Sequence, residues 1–231
     1  MNLAARLVML RSLPFFGGLP EERLTRLARE AVAATYAPGA PIAARDQSAE
    51  ALHLVASGQV KLYRMDAEGR EQTLYMLGPG EPFCLCALVD AGEWPAFAAA
   101  LTEVRVLTFP AAGLAEAARH DPEVLFDLLR LMCRRLKDAM AMIESLALRD
   151  LPGRVAGFLL HEADRPPAGR QVHLTISQRE LAKIVGATPE ALSRALRRLE
   201  QAGLLAARGR DVEILDREGL AREAGIPPDG D

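Results

Sequence analysis

Residues 176–200 read ISQRELAKIVGATPEALSRALRRLE, and the punctuation of this stretch decides the C-terminal fold. The Ser177 hydroxyl can accept from the unpaired N–H groups of a first helical turn. A helix is therefore expected from Gln178 to Val185, ending at Gly186. Thr188-Pro189 repeats the signal, a hydroxyl N-cap followed by proline at the first helical position, where its missing N–H is no loss. This second helix is expected to run to about Ala202 and stop at Gly203. Two capped helices joined through a glycine turn make the helix-turn-helix pattern.

The second helix separates into faces. Leu192, Leu196 and Leu199 repeat at four and three and must turn inward. Glu190, Ser193, Arg194 and Arg197 form an outward stripe that begins at the N-terminal end, the end that such a helix inserts into a major groove. Arginine suits guanine, glutamate can accept from a cytosine amino group, and serine is a short adaptable partner. Just upstream, Val172 to Ile176 reads as a short strand. Downstream, Leu204-Leu205-Ala206-Ala207 and Val212-Glu213-Ile214-Leu215 flank Arg208-Gly209-Arg210, a hairpin whose two tip arginines suit phosphate contact. Between positions 170 and 210 the chain has eight basic and three acidic residues, an excess of five positive charges in a protein whose formal net charge is −3. Local patterning, not global charge, implies DNA.

Outward from this module, Asp121-Pro122-Glu123 opens a long helix with Leu125, Leu129, Met132, Leu136, Ala139, Ile143 and Leu146 in steps of three and four. Two readings of that seam stand: a helix packed on its own domain, or a dimer coiled coil. A further helix is expected over 149–163, entered through Leu151-Pro152-Gly153, then a loop over 164–169. The last residues, Ile226 to Asp231, read as a frayed tail.

Further upstream the texture changes. Glycines at 39, 58, 69, 78, 80 and 92 separate short apolar runs: Ala51 to Val55, Gln59 to Arg64, Thr73 to Leu77 and Val104 to Phe109. Glu68-Gly69-Arg70 is a hairpin signal, and turns about ten residues apart argue for a β-sandwich or roll. Residues 1–30 look helical, with Leu3, Leu7 and Leu10 on one face and a second helix opening at Pro20-Glu21-Glu22. The fold class expected is α+β, with a roll over 1–120, a dimerisation helix over 121–148 and a winged helix-turn-helix over 149–231.

The 231 residues, half of them hydrophobic and 26% charged, can build two modest cores. No stretch reaches the roughly 18 uncharged residues of a membrane span, and the start lacks a signal-peptide cleavage site. Three cysteines are no disulfide framework, so a reducing cytoplasm is expected.

With these parts in order, the chain resembles the CRP/FNR superfamily of bacterial regulators, most specifically over residues 176–200. The resemblance implies N-terminal helices, a cyclic-nucleotide-binding-like β-roll, a dimer helix and a winged helix, and as partners double-stranded DNA, a second copy and RNA polymerase. Glu190, Ser193 and Arg194 look like the base-reading set of the FNR and DNR branches, which implies a palindrome of TTGAT-like half-sites. Ser177 and Gln178 fall where family members contact phosphate, with Arg197, Arg208 and Arg210 as further phosphate contacts.

The cyclic-nucleotide cassette of the family uses a Gly-Glu pair and an Arg-Ser pair. Here Phe83-Cys84-Leu85-Cys86-Ala87-Leu88 and Trp94-Pro95-Ala96 replace them, and Gly80-Glu81 looks like a turn. Without the arginine nothing offsets a buried phosphate charge, which argues against cyclic AMP. The absence of cysteine from residues 1–83 argues against an FNR-type iron–sulfur cluster. Phe83-Cys84-Leu85-Cys86 is similar to the Phe-Cys-x-His segment of the haem-containing carbon-monoxide sensor of the superfamily, with Cys86 in place of its histidine. Three readings of Cys84 and Cys86 stay open: a haem thiolate at Cys84, a thiol redox switch between two strand residues on one face, or buried packing. Cys133 reads as packing. His53 reads as a satisfied histidine between apolar neighbours, and no pair among His53, His120, His161 and His173 has metal-ligand spacing. The rival from another class, a haem or thiol redox protein whose C-terminal module binds a protein partner, finds no nucleophile–base pair or phosphate loop in support.

Overall fold

The computed structural model describes residues 1–13, 16, 18–44, 51–88, 94–165 and 169–226, apart from the side chains of 117, 118 and 120. Gly92, the loop residues 166–168, the tail from Pro227 to Asp231 and the side chain of His120 lie outside the described residues. The fold is α+β, as expected, and the chain divides into two compact units: residues 1–69 with 73–137, and residues 70–72 with 138–231.

The first unit opens with helices α1 (Leu3–Arg11) and α2 (Glu21–Glu30). Among the described residues eight strands follow: β1 (Val32–Tyr36), β2 (Pro41–Ala43), β3 (Ala51–Ser57), β4 (Val60–Met65), β5 (Glu71–Leu77), β6 (Pro82–Phe83), β7 (Phe97–Ala100) and β8 (Val104–Pro110). They form two four-stranded sheets, in the orders β1-β8-β3-β6 and β2-β7-β4-β5. Alternation along β8 assigns its faces. Val104 and Val106 join Val60, Leu62, Leu77, Phe83, Ala98 and Ala100 in one core, while Leu107 and Phe109 face the other way, into a core shared with Leu10, Leu24, Leu27, Leu52 and Leu54. The β3–β4 turn requires glycine: Gly58 has φ +80°, and a Cβ there would stand 2.2 Å from the Glu103 carbonyl oxygen.

Helix α3 (Ala111–His120) was not expected; Ala111 and Leu114 bury its inner side. Helix α4 (Pro122–Leu148) begins where Asp121-Pro122 places it, and the Asp121 carboxylate accepts from Glu123 N at 3.0 Å. Its Val124 and Leu128 pack in the helix-side core of the first unit.

The second unit contains α5 (Leu151–Asp164), β9 (Gln171–His173), α6 (Gln178–Val185), α7 (Pro189–Gln201), β10 (Leu205–Arg208), β11 (Asp211–Ile214) and α8 (Arg217–Glu223). The Leu151-Pro152-Gly153 stretch is the first turn of α5 rather than its approach. Asp150 is the N-cap and accepts from Gly153 N at 3.0 Å, and proline is tolerated because first-turn N–H groups have no helical partner. The strand expected over 172–176 is shorter and shifted, since β9 ends at His173; Leu174 still donates to the Arg210 carbonyl at 2.8 Å. The three strands order as β10-β11-β9, antiparallel, with Leu205 opposite Ile214 and Val212 opposite Val172. Helix α5 packs on α7 and α8 and buries Val155, Ala156, Leu159 and Leu160. Helix α8, capped by Asp216 on Gly219 N at 2.9 Å, was also not expected. Among the described residues no helix is long and apolar enough to cross a membrane.

Candidate nucleic-acid interface

Each cap read from the sequence is made in the structure. Ser177 is extended (φ −75°, ψ 158°), and its Oγ accepts from Glu180 N at 3.2 Å. The exposed Gln178 follows at the first helical position, so the N-terminal turn of α6 presents a polar end where an anion is stabilised by the helix dipole and free N–H groups. Helix α6 stops at Gly186, which is left-handed (φ 66°, ψ 50°), with its N–H donating to the Ala182 carbonyl. A Cβ at Gly186 would also meet Leu146 Cδ2 at 3.1 Å, so conformation and space both favour glycine there. Thr188 then caps α7, its Oγ1 accepting from Ala191 N at 3.2 Å.

The faces of α7 fall as their spacing predicts. Leu192, Ala195, Leu196 and Leu199 are buried; Glu190, Arg194 and Arg197 are exposed and Ser193 is half-buried. Glu190's own backbone N–H, the Thr188 hydroxyl and the Arg194 charge one turn on together hold its carboxyl below the usual carboxylate range. It is therefore an ionised acceptor at neutral pH, beside an exposed guanidinium.

The wing forms as a hairpin. Arg208 and Asp211 face each other in register, Gly209 supplies the turn at φ 66°, and Arg208 and Arg210 are exposed at its tip. Glu200 of α7 ties the first strand of the wing to the helix by accepting from Ala207 N, one residue before the tip, at 2.9 Å. On β9, His173 Nδ1 lies 2.6 Å from an Asp211 carboxylate oxygen.

Not all of the local positive charge is available. Lys183 is ion-paired with Glu180 at 2.9 Å. Arg198, four residues beyond Arg194, turns to Asp150 (3.5 Å) and Glu223 (3.3 Å). Nothing in its sequence spacing separates it from the outward stripe, because its partners are 48 and 25 residues away. Within the second unit the exposed Arg179, Arg194, Arg197, Arg208 and Arg210 form no ion pair among the described residues.

The seven seam positions of α4, Leu125, Leu129, Met132, Leu136, Ala139, Ile143 and Leu146, are all exposed in the single chain. Core packing uses other positions, Val124 and Leu128. Cys133 is exposed too.

In the roll, the strand argument for Cys84 and Cys86 is overturned. Strand β6 ends at Phe83, Cys84 has φ 62°, and Leu85–Leu88 is a 3-10 turn, so the two cysteines do not share a strand face. The Cys84 sulfur is buried with Phe83 and Trp94, and desolvation, reinforced by Cys86, pushes its pKa up to about 12. Cys86 is half-exposed. Gly80-Glu81 is indeed a turn: Gly80 N–H donates to the Val55 carbonyl at 2.9 Å, and the Glu81 carboxylate accepts from Gly78 N at 2.6 Å. His53 is satisfied as expected, with Nδ1 2.8 Å from Thr108 Oγ1 and its ring stacked on Phe83 at 4.9 Å. Among the described residues no three His, Cys, Asp or Glu side chains are grouped to hold a metal ion.

A β-roll unit followed by a winged helix-turn-helix, with an ionised glutamate and the exposed Arg194 and Arg197 along its second helix, defines a DNA-binding regulator. Residues 153–223 match the Crp-like helix-turn-helix domain, and residues 33–121 match the cyclic nucleotide-binding domain. The CRP-like cAMP-activated global transcriptional regulator of Mycobacterium tuberculosis is 31% identical over 213 residues, which span 90% of this chain and 95% of that protein. The cyclic AMP receptor protein of Thermus thermophilus is 33% identical over 201 residues, 87% of this chain and 92% of that one. FixK2 from Bradyrhizobium japonicum superposes with a TM-score of 0.76 at 26% identity, over 86% of this chain and 99% of that chain. This chain belongs to the CRP/FNR family of transcription regulators.

Proposed function

We propose that the chain acts in the cytoplasm as a homodimer on a palindrome of TTGAT-like half-sites. Glu190, Ser193 and Arg194 read bases, and Ser177, Gln178, Arg197, Arg208 and Arg210 hold phosphates. The carrying observation is the α7 stripe: an ionised Glu190 and an exposed Arg194 at the open end of a helix whose other face is buried. The exposed α4 seam supplies the second copy, which sets two recognition helices about one DNA turn, roughly 34 Å, apart. RNA polymerase is the expected further partner on DNA.

The signal in this reading is an effector other than cyclic AMP. The names of two relatives attach cyclic AMP to those proteins. Here the Glu81 carboxylate is turned to a backbone N–H, and Trp94 is buried where the resemblance puts a phosphate-binding arginine. Haem fits the residues present poorly: the Cys84 thiol is packed in an apolar core that disfavours its thiolate, and Cys86 offers no imidazole. A redox switch suffers from the same buried thiol, so Cys84 fits a packing role best.

Fluorescence anisotropy on a TTGAT palindrome tests the base-reading assignment. Arg194→Ala should weaken binding by about 1–3 kcal/mol, the worth of a bidentate base contact, and relax preference at one position of each half-site. Equal affinity and specificity in the variant would remove Arg194 from base reading. Calorimetric titration with cyclic AMP should show no binding heat, and a measurable micromolar affinity would overturn the effector reading.

A further inference from the structure

Arg198 follows Arg194 by one turn of α7 and would pass, on spacing alone, for another phosphate contact. Its guanidinium is instead a fork between two carboxylates: Nη1 lies 3.5 Å from Asp150 Oδ2, and Nη2 lies 3.3 Å from Glu223 Oε1. Asp150 is the N-cap of α5, and its other oxygen, Oδ1, already accepts from Gly153 N. It stands two residues past the end of α4, beside Arg149, whose guanidinium pairs with Glu144 of α4 at 3.2 Å. Glu223 is the last residue of α8, and that end of α8 sits directly on the first turn of α5: a Cβ on Gly153 would come within 2.8 Å of the Glu223 carbonyl oxygen. One side chain of the reading helix thus spans the start of α5 and the end of α8, at the junction where α4 hands over to the DNA-reading module.

We propose that Arg198 is a positioning residue, fixing the orientation of α7 against the α4–α5 junction through Asp150 and Glu223, and not a DNA contact. The proposal rests on α7 being the DNA-reading helix. Its energetic weight is modest, since the Arg198 and Asp150 side chains are 63% and 59% exposed and such pairs are screened. The leverage is geometric: two recognition helices must meet half-sites a fixed distance apart, so a small rotation of each α7 is read as a change in preferred spacing.

The full-length protein is assayed by anisotropy on the palindrome across a salt series, with Arg198→Ala, Asp150→Asn, the double variant, Arg197→Ala and Arg194→Ala. Asp150→Asn retains an amide oxygen for the α5 cap and removes only the charge. Arg198→Ala deletes a positive charge and Asp150→Asn a negative one, so a purely electrostatic account moves DNA affinity in opposite directions. Positioning moves both the same way. Each should weaken binding about two- to fivefold, the double variant no more than either alone. The slope of log affinity against log salt should stay at the wild-type value in Arg198→Ala, whereas Arg197→Ala should lose about 0.9 of a unit, one phosphate contact. Arg198→Ala should also narrow the wild-type preference for the native half-site spacing over a spacer changed by one base pair.

A salt slope reduced as in Arg197→Ala, tighter binding in Asp150→Asn, additive losses in the double variant, or wild-type behaviour of Arg198→Ala would each overturn the proposal. The Arg194→Ala arm separates the two layers. If that variant binds as wild type, the base-reading assignment fails; if it is impaired while Arg198→Ala is not, only the positioning role fails.

Discussion

His53 shows how a single side chain sets a pH limit on the roll. Burial lowers its pKa from 6.5 to about 4, so the folded protein keeps it neutral and bonded to Thr108. The unfolded chain takes up that proton below about pH 6.5, whereas the folded chain does so only near pH 4. The neutral-state advantage is thus whole above pH 6.5 and lost progressively as pH falls towards 4, by at most about 3 kcal/mol. Urea denaturation of wild type between pH 7 and 4 should show this fall. His53→Gln, which keeps a polar partner for Thr108, should flatten it, and an unchanged slope in the variant would assign the pH response to other groups. Glu190 illustrates the opposite sign of charge preference. Its backbone N–H, the Thr188 hydroxyl and the Arg194 charge lower its pKa and so favour the anion, whereas burial of His53 favours the neutral form.

At the level of elements, legibility followed how local each signal is. Caps act over three residues, so Ser177, Gly186 and Thr188 delimit α6 and α7 in the sequence as they do in the structure. Turn glycines likewise marked the strands of the roll. Helix α3 escaped because Leu114 is the lone large apolar residue in an alanine-rich run, which leaves little periodicity to read. Helix α8 is seven residues long, and its Asp216 cap carries little signal in the sequence because no apolar stripe follows it. Cys84 lies in a turn with positive φ and not in the expected strand, because a short apolar run does not distinguish the two. Of the candidate interface, the exposed stripe was visible from 3.6-residue periodicity, but Arg198's partners were not, since Asp150 and Glu223 reach it only through folding. The cap itself is testable. Thr188→Ala removes the acceptor for Ala191 N and the hydroxyl that favours ionised Glu190, so it should cost about 1 kcal/mol of stability. A lower melting temperature in calorimetry, restored by Thr188→Ser, checks it; a loss that serine fails to restore would place the effect outside the cap.

For the whole molecule the decisive surface is the outer face of α4. A buried helix in a single chain would hide its apolar seam, yet Leu125, Leu129, Leu136 and Ile143 are 46, 49, 62 and 66% exposed, while Val124 and Leu128 do the packing. An apolar stripe of that length, left in water, supports the proposed interface with a second copy, and its alternating steps of three and four are those of a coiled coil. The two sequence readings of this helix are therefore compatible: one face packs on its own domain and another is open to a second copy. Leu136→Glu puts a charge in the middle of the seam without removing a buried contact of the single chain. Sedimentation is expected to show dimers for the wild type and monomers for the variant, with little change in secondary structure. Affinity for the full palindrome should fall towards that for a single half-site, because the second α7 is no longer delivered at a fixed distance. The melting temperature of the wild type should also rise with protein concentration and that of the variant should not, since association stabilises only the species that associates. A Leu136→Glu protein that still sediments as a dimer, with full palindrome affinity, would move the interface off α4 altogether.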